Sequence, residues 1–216
     1  MLARIHGHAP RDAVLEVGCG PGAYVDALSG LGAHPAFGMD PSRGMLERTR
    51  ARGRVAYLRG DAARLPFADR SLAMIFSVNV IHHVADVRAY LREAFRVLVP
   101  GGIVCTATDS EAIIRRRDPL SRYWPATIAP ELERYHRIER LHEEMSAAAF
   151  DRIETREAGA RITIDDAAPY RDKAYSCLEL ITQAEFRRGL DAIERDLRNG
   201  PLEGRSELVF VSGVRV

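Results

Sequence analysis

Glu16 stands two residues ahead of three alternate glycines, Gly18, Gly20 and Gly22. A turn with so little side chain lets a ligand approach bare backbone. A helix opening behind it adds free N–H groups and a partial positive charge. An acid aimed at that ligand suits a cation or an amine and would repel a pyrophosphate. Asp40 follows Gly18 by twenty-two residues. An acid so placed, at the end of the second strand of a β-α-β unit, can accept hydrogen bonds from both ribose hydroxyls. Before Pro41 and Ser42 it could instead be a cap. Asp61 lies in Gly60-Asp61-Ala62, ahead of Leu65-Pro66-Phe67, and could simply serve a turn. Asn79 closes an apolar run and leads to the adjacent pair His82 and His83. Only one of two adjacent side chains can face inward on a helical turn. Three roles are open to the pair: shaping a pocket, acting as a general base, or holding a metal. No third ligand stands at a useful spacing for the last.

Stepping from these groups to their supports, residues 13–17 read as a buried strand, and Tyr24, Val25 and Leu28 recur at helical spacing until Gly30 and Gly32. Strands are predicted at 35–39, 55–58, 72–78 and 103–108. Ser42 is a predicted N-cap for a helix with Met45, Leu46 and Thr49 on its inner face. Asp86 caps a predicted helix over 87–98, striped by Val87, Tyr90, Leu91, Ala94, Phe95 and Leu98 and ended by Pro100-Gly101-Gly102. Beyond Asp109, helices are predicted near 131–150 and 185–198, and strands at 153–164, bent at Gly159, and 207–216. Residues 2–5 could form a scrap of helix.

Read whole, E-V-G-C-G-P-G closely resembles motif I of the class I S-adenosylmethionine-dependent methyltransferases, small-molecule (type 11-like) branch. D-P-S-x-x-M-L, G-D-A-x-x-L-P-F, S-V-N-V-I-H-H-V and E-A-F-R-V-L-V-P-G-G are similar to that family's later motifs, in its order. The resemblance spans residues 14–108. It implies a cofactor-binding set of Glu16, Gly18, Cys19, Gly20, Gly22, Asp40, Pro41, Met45, Asp61, Ala62 and Asn79. Glu16 would reach the methionine end, Asp40 the ribose and Asp61 the adenine amino group. His82 or His83 would be the nearest base if the acceptor is a hydroxyl or an amine. Relatives usually carry N-terminal helices over the cofactor. Only twelve residues precede the first strand here, so that cover is missing, lies elsewhere or was lost by truncation.

The expected fold is α/β, a three-layer α-β-α sandwich whose Rossmann-like sheet has about seven mostly parallel strands and an antiparallel C-terminal edge hairpin. The expected organisation is a cofactor-binding core over 1–109, a helical acceptor-side segment over 110–205 and a last strand over 206–216. Tyr123, Trp124, Tyr135, His136, Tyr170, Arg171 and Tyr175 could line an acceptor pocket or build a satellite core. The expected activity is methyl transfer from S-adenosylmethionine to a small molecule. The alternatives are a nicotinamide-dependent oxidoreductase, since Gly18, Gly20 and Ala23 also satisfy a dinucleotide pattern, and a non-catalytic S-adenosylmethionine-binding module.

Composition sets the remaining expectations. Net charge is +1 over 216 residues, so no bulk attraction draws the chain to nucleic acid or an anionic membrane. The run Arg115-Arg116-Arg117 reads as a solvated helix face. Three cysteines without paired spacing fit a reducing compartment, with neither a disulfide framework nor a zinc site. No signal peptide or spanning stretch is read, and the expected location is the cytoplasm.

Overall fold

The computed structural model describes residues 13–33, 35–49 and 55–216; the helical scrap expected at 2–5 lies outside them. The chain divides into two compact units. One comprises the described residues up to 108 with 138–155 and 210–216, the other 109–137 and 156–209.

In the first unit, β1 (Val14–Val17) is wholly buried, and its four residues read V-L-E-V. Such a run fits a strand covered on both faces. β1 pairs in parallel with β2 (Ala36–Asp40) on one side, Val14 opposite Ala36, and with β4 (Leu72–Val78) on the other, Val14 opposite Met74. β3 (Val55–Arg59) lies outside β2 in parallel register. The sheet has seven strands in the order β3-β2-β1-β4-β5-β7-β6, the last two forming the antiparallel C-terminal hairpin. The chain therefore steps outward from β1 to β3, then crosses back to β4. Strand order reverses between β1 and β4, and open sheets of this type bind ligands at the carboxyl ends of the strands at such a reversal.

Helices follow the strands. α1 (Ala23–Gly30) opens after the glycine turn, and α2 (Arg43–Leu46) is capped by Ser42, whose Oγ accepts from Met45 N at 3.3 Å. α3 (Val87–Val97) is capped by Asp86, which accepts from Ala89 N at 2.8 Å, and it buries Val87, Tyr90, Leu91, Ala94 and Val97. Met45 is 40% exposed, not on an inner face as the helical spacing suggested. α2 is a single turn and has no room for the longer stripe.

β5 runs over Leu98–Thr108, five residues longer than expected. Leu72 faces Leu98 while Met74 faces Ile103, so residues 100–102 bulge out of the ladder instead of ending it. Gly101 takes a φ of +81°, and a Cβ on Gly102 would lie 2.8 Å from Val99 O. The glycines thus permit a bulge, where the same letters read alone suggest a turn.

The second unit holds α4 (Glu111–Arg116), α5 (Leu120–Tyr123), α6 (Ile128–Arg134), α8 (Ala168–Arg171) and α9 (Gln183–Leu197). α7 (Ile138–Ala147) belongs to the first unit. The single helix expected near 131–150 is two, because Tyr135 turns extended with ψ 139°. α9 begins with a reciprocal capping box between Thr182 and Glu185. β6 (Phe150–Ile164) and β7 (Leu202–Arg215) are longer than predicted and continue from one unit into the other.

Trp124 and Tyr170 are buried with Leu120, Ile164, Leu178, Phe186 and Ile193 in the second unit's own core. Trp124 stacks on Tyr170 at 5.4 Å, and its Nε1–H donates to Phe186 O at 2.9 Å. Of the two readings of these aromatics, the satellite core holds for Trp124 and Tyr170.

The arginine run is a solvated face at Arg115 and Arg116, which are exposed, but not at Arg117. Arg115 pairs with Glu111 and Arg116 with Glu207, while Arg117 is largely buried between Asp109 at 3.1 Å and Glu131 at 2.7 Å. Arg134 also contacts Glu131, which is 0% exposed, and reaches Ser176 Oγ at 2.9 Å. Burial pushes the Asp109 carboxyl up to about 6 despite the Arg117 guanidinium.

Candidate functional site

The glycine turn is held from three directions. Gly18 N and Cys19 N both donate to Met39 O, at 2.7 and 3.0 Å, which ties the turn to the end of β2. Gly20 N donates to Asp40 Oδ2 at 2.9 Å, and Ser42 N to Asp40 Oδ1 at 2.8 Å. Val25 N, in the first turn of α1, donates to Glu16 Oε2 at 2.9 Å. Asp40 therefore fastens the turn, a task that the ribose reading did not assign to it.

All three glycines have positive φ, +70° at Gly18, +51° at Gly20 and +88° at Gly22. They are not equivalent. A Cβ on Gly18 would strike the Val80 side chain at 2.5 Å, and one on Gly22 would lie 2.1 Å from Tyr57 Oη. A Cβ on Gly20 would meet nothing within 4 Å. The bare backbone at Gly20 thus faces open space, which is the cradle that a ligand passing over the turn needs.

Glu16 is 1% exposed. Burial, reinforced by the charges of Asp26 and Asp40 and opposed by the Val25 N–H, raises its carboxyl to about 8. Every charged group in that set is an acid. Cys19 is buried beside it, and the same causes push its thiol up to about 12. A neutral thiol packs there as a small apolar group, and Cys19 Sγ lies 3.0 Å from where a Cβ on Gly38 would stand. Tyr57 donates to Asp26 Oδ1 at 2.9 Å, and burial with that bond raises its hydroxyl well above the usual phenol range.

Asp61 is exposed, and its Oδ1 accepts from Ala63 N at 2.9 Å. The segment after it is braced from α3. Leu65 N donates to Glu93 Oε2 at 2.9 Å, while Arg96 donates to Leu65 O at 3.0 Å and Phe67 O at 2.9 Å. Arg96 also pairs with Glu93 and Asp69, and its hydrogen bonds hold the Glu93 carboxyl below its ordinary value. Phe67 meets Phe37 edge to face at 5.1 Å. Sequence reasoning did not place Glu93 and Arg96 here. Their three-residue spacing, one helical turn, was the available signal.

Asn79 has a φ of +54°, is exposed, and donates its N–H to Ala107 O at 2.8 Å at the end of β5. A 3-10 turn over Ile81–His83 follows. His82 is half-buried and His83 exposed, their ring centroids 4.1 Å apart, so one imidazole of the pair turns inward. Pro41 and Met45 are exposed and Ala62 is half-buried. The described geometry thus joins Glu16, Gly18, Cys19, Gly20, Gly22 and Asp40 directly, whereas Asp61, Asn79 and the histidines sit on the ends of neighbouring strands.

The methyltransferase-domain family matches residues 15–106, the span that contains this turn, both following acids and the histidine pair. Residues 15–106 carry a class I S-adenosylmethionine-dependent methyltransferase domain. A relative named as a probable S-adenosylmethionine-dependent methyltransferase, from Mycolicibacterium smegmatis, is 38% identical over 104 residues, 48% of this chain and 40% of that protein. The ubiquinone biosynthesis O-methyltransferase of Azorhizobium caulinodans is 27% identical over 179 residues, 71% of this chain and 67% of that one. The chain thus spans less than half the length of the first relative and about two thirds of the second. Among solved structures, a candidate methyltransferase from an antibiotic biosynthesis pathway of Anabaena variabilis superposes with a TM-score of 0.72 at 19% identity, covering 98% of this chain and 95% of that one. The phosphoethanolamine N-methyltransferase 2 of Haemonchus contortus, solved with phosphomonomethylethanolamine and S-adenosylhomocysteine, has a TM-score of 0.65 at 18% identity over 99% of this chain and 51% of that one. These likenesses extend the methyltransferase fold to nearly the whole chain. Among the described residues, no helix is long and apolar enough to cross a membrane.

Proposed function

We propose that the chain transfers the methyl group of S-adenosylmethionine to a nucleophile on a small molecule by in-line displacement. The observation that carries this reading is the acid set at the open turn. Asp40 Oδ2 accepts from Gly20 N at 2.9 Å beside the bare backbone, and the charges acting on the buried Glu16, those of Asp26 and Asp40, are both acidic. Such a site favours a positively charged ligand and disfavours a pyrophosphate. That weighs against a nicotinamide dinucleotide, although the glycine pattern alone would admit one.

The residues fit the cofactor as follows. Gly18, Cys19, Gly20 and Gly22 would pass beneath it and Glu16 would face its amino-acid end. Asp40 has both oxygens engaged by backbone N–H groups, yet each keeps a lone pair for a ribose hydroxyl. Asp61 and Ala62 would meet the adenine edge, with Phe37 and Phe67 nearby as apolar walls. Pro41, Met45 and Asn79 complete the proposed set. When bound, the cofactor supplies a methyl group already activated on a sulfonium. The protein's task is then to align the acceptor and exclude water, with acid-base help optional. His82, the inward imidazole, is the proposed proton acceptor where the nucleophile is a hydroxyl or an amine, and His83 the second choice.

A transfer assay with methyl-labelled S-adenosylmethionine over hydroxyl, amine, thiol and carbon-acid acceptors tests the reading. Label appearing on one acceptor class supports it. Tight cofactor binding with no transfer to any class would make the chain a binding module.

A further inference from the structure

β6 is the last strand in the sheet order, and residues 155–163 within it are exposed without interruption. An edge strand presents a row of backbone donors and acceptors that another chain can pair with, and natural edges often carry charges that prevent this. The charges here have a particular order. Residues 156–162 read R-E-A-G-A-R-I. Set antiparallel against a second copy with Gly159 opposite Gly159, the segment places Ala158 opposite Ala160 and Glu157 opposite Arg161. The two-fold axis repeats each pair.

The registers centred on Ala158 and on Arg161 do not do this. Centring on Ala158 puts Glu157 opposite Gly159 and Arg161 opposite Thr155, while centring on Arg161 puts Glu157 opposite Asp165. Opposite charges facing across strands stabilise a pairing, like charges oppose it, and a slip by one residue turns every side chain to the other face. In the single chain Glu157 lies 3.6 Å from Arg116, which also holds Glu207 at 3.1 Å, and its side chain stays 61% exposed. It is available to a further cation. Gly159 is needed in any case, because a Cβ there would lie 2.9 Å from Glu207 Cγ on β7. Glu157 and Arg161, not the glycine, therefore single out this register.

We propose that two copies of this chain associate through antiparallel pairing of β6 about Gly159, with Glu157 of each copy against Arg161 of the other. Sedimentation velocity on the full chain over a concentration series tests this, using the wild type, Glu157→Arg, Arg161→Glu and the double exchange. The wild type is expected to form a dimer that weakens with added salt. Each single reversal faces like charges twice and is expected to give monomers, and the double exchange restores the dimer. The double variant also lacks the Arg116–Glu157 contact, so its recovery separates pairing across the axis from loss of that contact. Circular dichroism confirms that each variant is folded. A wild-type monomer at every concentration would overturn the proposal and leave the edge to a strand of some other protein. So would a dimer indifferent to the single reversals.

Discussion

The Tyr57 hydroxyl, on β3, donates to Asp26 Oδ1, on α1, at 2.9 Å, and the Tyr57 ring fills the space that Gly22 and Gly38 leave bare. This bond ties the outer strand of the parallel sheet to the helix that opens the glycine turn. Tyr57→Phe removes one hydrogen bond and leaves a carboxylate without its donor. We expect about 1–2 kcal/mol weaker binding of S-adenosylmethionine, read by titration calorimetry, with the transferred-methyl rate at saturation little changed. Equal affinity in the variant would show that the bond does not position the turn.

Gly22→Ala should be far worse. Its φ of +88° is strained for any side chain, and the new Cβ would stand 2.1 Å from the Tyr57 hydroxyl. Thermal unfolding should report a loss of about 2–3 kcal/mol or more, strain and repacking together. Gly20→Ala, with a φ of +51° but open space around it, should keep most of the stability and lose cofactor affinity. If both alanine variants behaved alike, the distinction between a packed glycine and a ligand-facing one would fail.

Asp40→Ala should weaken the cofactor by about 1–3 kcal/mol. Two causes act together, because the carboxylate both fastens Gly20 N and Ser42 N and is the proposed ribose acceptor. Affinity for adenosine against 2′,3′-dideoxyadenosine separates them. A ribose role predicts that the wild type discriminates between the two and the variant does not.

The comparison of turn and chain shows what could be read from letters. The glycines were legible because a backbone at positive φ admits few other residues, and Asp40 because it ends a strand at a fixed distance from the turn. Ser42 and Asp86 were legible as caps because a cap is a local hydrogen bond. The Tyr57–Asp26 bond was not, since thirty-one residues separate its partners. Nor was the Glu93–Arg96 brace on the segment after Asp61, which depends on how α3 packs. Pro100-Gly101-Gly102 misled, because a bulge and a turn use the same residues. The buried Arg117 was hidden in a run whose other members meet partners near the surface.

The site should also report on pH. Burial, with the charges of Asp26 and Asp40, holds the Glu16 carboxyl up at about 8. Its ordinary value is 4.5, so the folded state holds a proton that the unfolded state releases over that interval. Stability measured without added ligand therefore falls as pH rises from about 4.5 to 8, and that contribution is fully present only below the lower value. A cationic ligand favours the charged carboxylate, so binding should expel the proton and strengthen as pH rises toward 8. Calorimetry in buffers of different ionisation enthalpy should show more protons released by the wild type than by Glu16→Gln. Identical proton counts in the two would remove Glu16 from the ligand's surroundings.

In the second unit, Glu131→Ala should cost about 3–5 kcal/mol, since it strands the buried Arg117 guanidinium. Denaturant unfolding of the full chain checks this. A loss below about 1 kcal/mol would mean that Asp109 alone suffices for Arg117.

The proposed function requires that the turn after β1 receive a sulfonium nucleoside. Titration calorimetry of the full chain with S-adenosylmethionine and, separately, with NADH tests it most directly. One site for S-adenosylmethionine is expected, weakened in Asp40→Ala and Gly20→Ala, with no heat from NADH. Tight NADH binding without S-adenosylmethionine binding would contradict it.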